Sequence, residues 1–331
     1  MNTPAVFDVI GIGNALVDVI THHDDDFLAR EDLVKGSMSL IDTERAVYLH
    51  RVMGAGISMS GGSAANTMTG VASFGAKACY VGKVADDDLG AEFGHDMRAV
   101  DVDFPNKASN LGVPTGRCLI VVTPDAERTM STYLGMSSLL GPEDIDEDVI
   151  ASAKVLYMEG YLWDRPPAKE AYRKAAKAAH AAGRMVSLTL SDSFCVDRHR
   201  ADFRSLVTDD VDVLFGNVDE LLSLYETSDF DHAVAKVRKD CQLAAITRGS
   251  QGSVIITTDS IIDIPVEPVK HVVDTTGAGD LFAAGFLVGL TSGASLPECG
   301  RMASIAAAEV ISHVGARPAV SLRRLAGLGS A

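Results

Sequence analysis

The sequence predicts an α/β fold: a three-layer α/β/α arrangement around a mostly parallel central sheet, with a small β-rich unit beside it. Three observations predict it. Short β-branched runs alternate with longer helical patterns over most of the 331 residues. Two stretches, about residues 15–60 and 112–135, break that rhythm. Hydrophobic residues make up 47% of the chain and charged residues 22%, a globular balance that buries a sizeable core without disulfides or metal staples. A chain of this length carries a prior of roughly two domains.

Taken in order, Val6-Phe-Asp-Val-Ile-Gly-Ile-Gly13 reads as a buried strand ending in glycines. Residues 15–60 follow with mixed apolar and polar runs and weak helical content. Ala78-Cys-Tyr-Val-Gly82, Val155-Leu-Tyr-Met158, Met185-Val-Ser-Leu-Thr-Leu190, Val211-Asp-Val-Leu-Phe215 and Leu243-Ala-Ala-Ile-Thr247 read as further strands. Residues 112–135 look like two strands joined by the turn Thr123-Pro-Asp-Ala126. The clearest helix runs over 166–182: Pro166 and Pro167 open it, alanines fill it and Gly183 closes it. The run from Leu281 to Leu290 is apolar on all sides, which predicts a helix buried in the core. Right-handed crossovers between parallel strands bring the strand-end loops to one edge of the sheet, where such folds bind ligands. Residues 1–14, 61–111 and 136–331 are assigned to the large unit, and 15–60 with 112–135 to a discontinuous β lid.

Composition excludes several classes. Acids outnumber bases by 45 to 29, a net charge of −16, which repels nucleic acid and anionic lipid surfaces. A small anionic ligand stays open, because backbone amides attract it locally. Five scattered cysteines, odd in number and never in a Cys-x-x-Cys pair, read as free thiols in a reducing compartment with no zinc framework. Asp24-Asp-Asp26 and Asp86-Asp-Asp88 read as solvated turns or helix starts rather than metal sites, and His22 and His23 show no ligand spacing. No basic residue precedes the first apolar run, so no signal peptide is read, and the apolar stretch at 281–290 is about half of a membrane span. The expected location is the cytoplasm, as a monomer or homodimer.

The most informative string is Asp274-Thr-Thr-Gly-Ala-Gly-Asp280, leading into the apolar helix. Gly277, Ala278 and Gly279 would form the first turn, with unpaired N–H groups and the positive end of the helix dipole making an anion site. Asp280 then has two readings. It is either a carboxylate favouring a helix N-terminus, or a general base beside a bound phosphoryl group.

The string resembles the C-terminal signature of the ribokinase (phosphofructokinase-B) family of carbohydrate and nucleoside kinases, Asp-Thr-x-Gly-Ala-Gly-Asp. Ser60-Gly-Gly-Ser-Ala-Ala-Asn66 looks like the family's N-terminal Gly-Gly-x-x-x-Asn signature, Asn217-Val-Asp-Glu220 like its Asn-x-x-Glu motif, and Thr247-Arg-Gly-Ser-Gln-Gly252 like its nucleotide loop. The four motifs stand in the family's order over nearly the whole chain. The resemblance implies a ribokinase-like fold and transfer of a phosphoryl group from ATP with Mg²⁺. It implies Asp280 as catalytic base, with the amides of Gly277, Ala278, Gly279 and Asp280 as the anion hole. Asn217 and Glu220 would organise Mg²⁺, mainly through water, while Thr247, Gly249 and Gly252 line the ATP site with Asn217 and Gly279. Asn14, Asp18, Gly62 and Asn66 would hold the acceptor's hydroxyls. A monovalent cation such as K⁺ often assists this family, and the backbone around Asp274, Thr276 and Gly315 would be its place.

Each assignment has a structural alternative. Asn14 and Asp18 also suit a turn after a strand, and Gly61-Gly62 also suits the start of a small-residue helix. Asn217 with Glu220 three residues on has the spacing of a capping box, which needs no ligand. Arg128, on the expected lid, either closes over the phosphates or stays solvated.

Within the family, Gly11-Ile-Gly-Asn-Ala-Leu-Val-Asp18 and Leu214-Phe-Gly-Asn217 look most like adenosine kinases and related nucleoside kinases. That implies phosphorylation of a nucleoside 5′-hydroxyl, adenosine to AMP. Leu16, Met130, Thr132 and Tyr161 become candidates for an apolar wall against the base, with Tyr161 able to stack. The alternative acceptor is a free sugar: ribose, fructose or a keto-deoxy sugar acid. A dinucleotide-binding dehydrogenase is a weaker reading of Gly11-Ile-Gly13, because Leu16 stands at the third glycine position. A catalytically silent sensor on a kinase scaffold is opposed by the intact acid at 280.

Overall fold

The computed structural model describes residues 4–125 and 127–329. Residues 1–3 of the N-terminal reading and Ala126 of the expected 123–126 turn lie outside the described residues. In chain order the strands are β1 (Phe7–Ile12), β2 (Leu16–His22), β3 (Met38–Leu40), β4 (Ile57–Gly61), β5 (Ala78–Val81), β6 (Val102–Asp103) and β7 (Gly116–Val122). They continue with β8 (Arg128–Tyr133), β9 (Ala153–Glu159), β10 (Met185–Thr189), β11 (Val213–Asn217), β12 (Leu243–Thr247), β13 (Ser253–Thr257) and β14 (Ile261–Ile264).

Nine strands form the large sheet in the order β14-β13-β12-β11-β10-β9-β1-β5-β6. It is parallel from β12 to β6, and only β13 and β14 run antiparallel to their neighbours. The continuous apolar runs of its strands follow from burial on both faces. Successive residues alternate between two cores. Val9, Val155, Tyr157, Val213 and Phe215 face one side, with the helices Ser63–Ser73, Ala278–Thr291 and Leu296–Val310. Ile10, Ile12, Leu156, Met158 and Leu214 face the other, with Pro166–Ala181, Ser193–Asp209, Val218–Tyr225 and Phe230–Asp240. This is the three-layer arrangement expected from the sequence. The helix Ala278–Thr291 is apolar all round because it is sandwiched. A Cβ on Gly285 would lie 2.5 Å from the Met302 carbonyl of the helix Leu296–Val310.

The second sheet has five strands in the order β3-β8-β7-β2-β4, drawn from the two stretches that break the rhythm. Its period-2 alternation has a functional consequence. Val17, Val19, Leu119 and Val121 point into the core with Phe27 and Leu49. Leu16, Asp18, Met38, Leu40, Cys118, Ile120, Met130 and Thr132 point the other way and line a cavity.

Residues 15–60 are more helical than expected. Thr43–Met53 is an eleven-residue helix whose N-cap Asp42 accepts from Arg45 N and whose chain leaves through Gly54 at φ +74°. Ala46, Leu49 and Met53 bury one narrow stripe, and the exposed Val47 and Tyr48 on the other faces blur the helical period. The acidic runs are helix starts, as expected: Asp24 caps Asp25–Arg30 and Asp87 caps Asp88–Ala99. All five cysteines are buried free thiols. Among the described residues no helix is long and apolar enough to cross a membrane.

Candidate active site

The C-terminal ends of the parallel strands open on one cavity of about 1400 Å³, roofed by the even-numbered residues of the small sheet. Asn14 after β1, Glu159 ending β9, Thr189 ending β10, Asn217 ending β11 and Thr247 ending β12 all line it, and 276–280 form part of its wall.

Asp280 sits in the first turn of the helix Ala278–Thr291, with Gly277 as N-cap at φ +79°. That conformation suits glycine, and a Cβ there would also lie 2.7 Å from Ala316 Cα. The Ala278 N–H donates to the Thr275 carbonyl at 3.2 Å, so it is not free for the anion hole the sequence suggested. The N–H groups of Gly279 and Asp280 have no partner among the described residues, and a Cβ on Gly279 would meet open space. Bare amides at a helix N-terminus fit an anionic group. The Asp280 carboxylate accepts from Ser63 Oγ at 2.6 Å and from Asn66 Nδ2 at 3.2 Å. Burial pushes its pKa up to about 6, against those two hydrogen bonds.

Asp18, on β2 of the small sheet, faces the same cavity, and its carboxylate has no hydrogen-bond partner among the described residues. Burial raises it to about 6; Arg317 and Arg128 pull it down, and Asp280 pushes it further up. Asn66 takes a long contact of 3.4 Å from Arg317 Nε, which stations that guanidinium behind the wall that Asn66 and Asp18 share.

Asn14 is held by a residue that sequence reasoning missed. Its N–H and Nδ2 both donate to Glu159 Oε1, at 2.7 and 2.8 Å, and its Oδ1 accepts from Ser137. Glu159 Oε2 accepts from Ala64 N at 2.8 Å. This buried carboxylate therefore ties the end of β1 to the first turn of the helix Ser63–Ser73, and burial raises its pKa to about 7. Gly62, the N-cap of that helix at φ +98°, passes so close to Asn14 that a Cβ would lie 2.2 Å from the Asn14 carbonyl oxygen. Ser63 and Glu159 carry no local sequence signal, because their partners lie 217 and 145 positions away.

On the opposite side, Asn217 and Glu220 form the capping box that the spacing allowed. Glu220 N donates to Asn217 Oδ1 at 2.9 Å, and Glu220 accepts from Asn217 N and Nδ2 at 3.0 and 2.7 Å. Both residues also line the cavity, and burial pushes Glu220 up to about 7. A carboxylate so short of positive charge, with lone pairs left for water, fits a hydrated cation. Among the described residues no group of three or more His, Cys, Asp or Glu side chains could ligate a metal directly. Thr247 and Gly249 line the cavity nearby. Tyr161 lines it too, its hydroxyl donating to the Ser191 carbonyl at 3.2 Å.

Two expectations are corrected. Gly252 does not line the cavity: it sits in the turn behind, where a Cβ would lie 2.2 Å from the Ile264 carbonyl. Arg128 does not line it either, because its guanidinium pairs with Asp274 at 3.2 Å. Asp274, Thr276 and Gly315 do cluster, but Asp274 accepts from Thr276 N, Thr276 Oγ1 and Gly315 N. With Arg128 beside it the carboxylate is already matched by protein donors, so a monovalent cation there would rest on the backbone around these residues, as the resemblance implies.

A carboxylate beside unpaired amides at the end of a parallel sheet, facing a second carboxylate on a small roofing sheet, fits a phosphotransferase of ribokinase-like fold that acts on a hydroxyl group. The chain belongs to the pfkB family of carbohydrate kinases, which residues 36–322 match. It is 28% identical over 325 residues to 5-dehydro-2-deoxygluconokinase of Halalkalibacterium halodurans, covering 94% of this chain and 91% of that one. Among solved structures, adenosine kinase of Sinorhizobium meliloti is 51% identical with a TM-score of 0.90, covering 98% and 99% of the two chains. A probable sugar kinase of Rhizobium etli CFN 42 is 49% identical with a TM-score of 0.91, covering 98% of each.

Proposed function

We propose that the protein transfers a phosphoryl group from ATP to the 5′-hydroxyl of a nucleoside, adenosine to AMP. The observation that carries the chemistry is the Asp280 carboxylate, aimed by Ser63 and Asn66, beside the unpaired N–H groups of Gly279 and Asp280; burial raises its pKa to about 6. A base that is mostly ionised at neutral pH, yet more basic than an exposed carboxylate, suits removal of a proton from an attacking hydroxyl. The two amides meet charge that develops on the phosphoryl oxygens, and alignment supplies the rest of the rate. Asp18, Asn66, Gly62 and Asn14 are assigned to the acceptor, with Asp18 free to accept from sugar hydroxyls. ATP supplies the phosphoryl group, and Asn217 and Glu220 would hold Mg²⁺ through water, offsetting phosphate charge. Thr247 and Gly249 are assigned to the nucleotide.

The nucleoside reading is supported by the apolar roof that Leu16, Ile120 and Met130 form beside Asp18, and by the 51% identity to a bacterial adenosine kinase. A flat base finds apolar surface there that a free sugar does not need. The family description and the gluconokinase relative favour a sugar acceptor as the second reading.

ADP release by the purified enzyme with Mg²⁺-ATP separates the two. Turnover with adenosine and none with ribose, fructose or a keto-deoxy sugar acid is expected, and the reverse pattern overturns the nucleoside assignment. In the same assay Asp280→Asn should lose about 10²–10⁴-fold in turnover while acceptor affinity survives. Turnover at the wild-type level would remove Asp280 as the base.

A further inference from the structure

The Arg128–Asp274 pair joins the small sheet to the loop that enters the helix Ala278–Thr291. Arg128 opens β8, and the two side chains are 11% and 10% exposed with Nη2 3.2 Å from Oδ2. Asp274 spends the rest of its carboxylate on the chain just ahead of the amides. Oδ1 accepts from Thr276 N at 3.0 Å and Thr276 Oγ1 at 2.7 Å, and Oδ2 accepts from Gly315 N at 2.9 Å. Thr276 is followed at once by the left-handed Gly277, and the Ala278 N–H closes the turn on the Thr275 carbonyl. One part-buried carboxylate thus shapes the approach to the bare amides, and its countercharge comes from a different sheet. A buried ion pair that loses one partner leaves an uncompensated charge, which relaxes toward water. Relaxation of Asp274 would carry Thr276 with it.

We propose that Arg128 is a positioning residue for phosphoryl transfer: acting through Asp274, it couples the seating of the small sheet to the formation of the amide cradle at 277–280. The inference rests on the reading of that cradle as the phosphoryl site, since Arg128 itself does not reach the cavity wall. A misplaced cradle costs rate without loosening the acceptor, which is held by other residues. A displacement of an ångström is worth about 10²-fold in turnover.

The test compares Arg128→Gln, Arg128→Lys, Asp274→Asn and the Gln/Asn double variant in the full-length enzyme. Arg128→Gln is expected to lower kcat by about 10²-fold with acceptor KM nearly unchanged, and to speed amide hydrogen exchange at Thr276 and Ala278. Arg128→Lys should recover part of both losses by keeping the charge, and it carries the test if the Gln variant is too unstable to purify. The double variant should be no worse than Asp274→Asn alone, because both substitutions break one link. Three results would overturn the proposal: wild-type exchange at Thr276 and Ala278 in a folded Arg128 variant, a raised acceptor KM with kcat intact, or fully additive losses. The exchange measurement needs no turnover, so it decides the coupling even where Asp280→Asn has overturned the reading of the site.

Discussion

Ser63 and Asp280 are joined by a 2.6 Å hydrogen bond from the serine hydroxyl to Oδ1 of the carboxylate, across 217 positions of sequence. It ties the first turn of the helix Ser63–Ser73 to the first turn of the helix Ala278–Thr291. The second oxygen is taken by Asn66 from the same turn and a half of the earlier helix. Two helix N-termini therefore converge on one acid, and the donors aim it as well as favouring its ionised form. Burial works the other way and wins, which leaves the group at about 6.

Removing the serine hydroxyl should move that balance in a known direction. Ser63→Ala deletes a donor to the ionised carboxylate, so the pKa of Asp280 rises. Because the protonated acid cannot accept a proton, the acid limb of the rate profile, near pH 6 in the wild type, should move to higher pH. Asp18 titrates in the same range, so the wild-type limb belongs to both carboxylates. The displacement between variant and wild type enters through Asp280, because the Ser63 hydroxyl bonds only to that carboxylate of the pair. Profiles that superimpose would sever the serine from the base.

Glu159 yields a prediction about stability. Its folded pKa of about 7 lies above the ordinary value of 4.5, so the folded chain binds this proton more tightly than the unfolded chain. Stability from this group is fully present below pH 4.5 and is lost as pH climbs through about 7. The difference amounts to roughly 3 kcal/mol. Glu159→Gln abolishes that slope, at a pH-independent cost: an amide cannot accept from Asn14 on one atom and from Ala64 on the other. Urea unfolding at a series of pH values should show wild type losing ground on the variant from pH 5 to 8. Parallel curves would mean that Glu159 is ionised throughout.

The large sheet was legible because its strands are buried on both faces, so apolar runs such as 155–158 and 243–247 announce themselves without their neighbours. The helix Thr43–Met53 was not, since exposed Val47 and Tyr48 interrupt the narrow stripe of Ala46, Leu49 and Met53. At the site, the string 274–280 was readable because loop, N-cap and carboxylate are contiguous. Ser63, Glu159 and Arg317 act on partners 217, 145 and 251 positions away, and no local pattern encodes such pairs. Arg128 was visible as a charge on a strand, but only the fold supplies Asp274 to meet it. The wall residues Leu16, Met130 and Thr132 share even parity, yet which parity faces the cavity is set by strand pairing.

Asn217 is where the structural and functional readings can be separated by one substitution. Its Oδ1 caps the helix Val218–Tyr225, while its Nδ2 donates to Glu220 Oε1 at 2.7 Å. Serine caps a helix about as well as asparagine, whereas alanine costs about 1 kcal/mol. Asn217→Ser should therefore unfold close to the wild-type midpoint and Asn217→Ala earlier. Serine cannot replace the Nδ2 donor, so Glu220, already at about 7, becomes harder to ionise. A protonated Glu220 attracts a hydrated cation less. The Mg²⁺ concentration for half-maximal rate should rise in Asn217→Ser, more at pH 6.5 than at pH 8, where Glu220 ionises regardless. A Mg²⁺ requirement equal to wild type at both pH values would leave the capping box as the whole role of the pair.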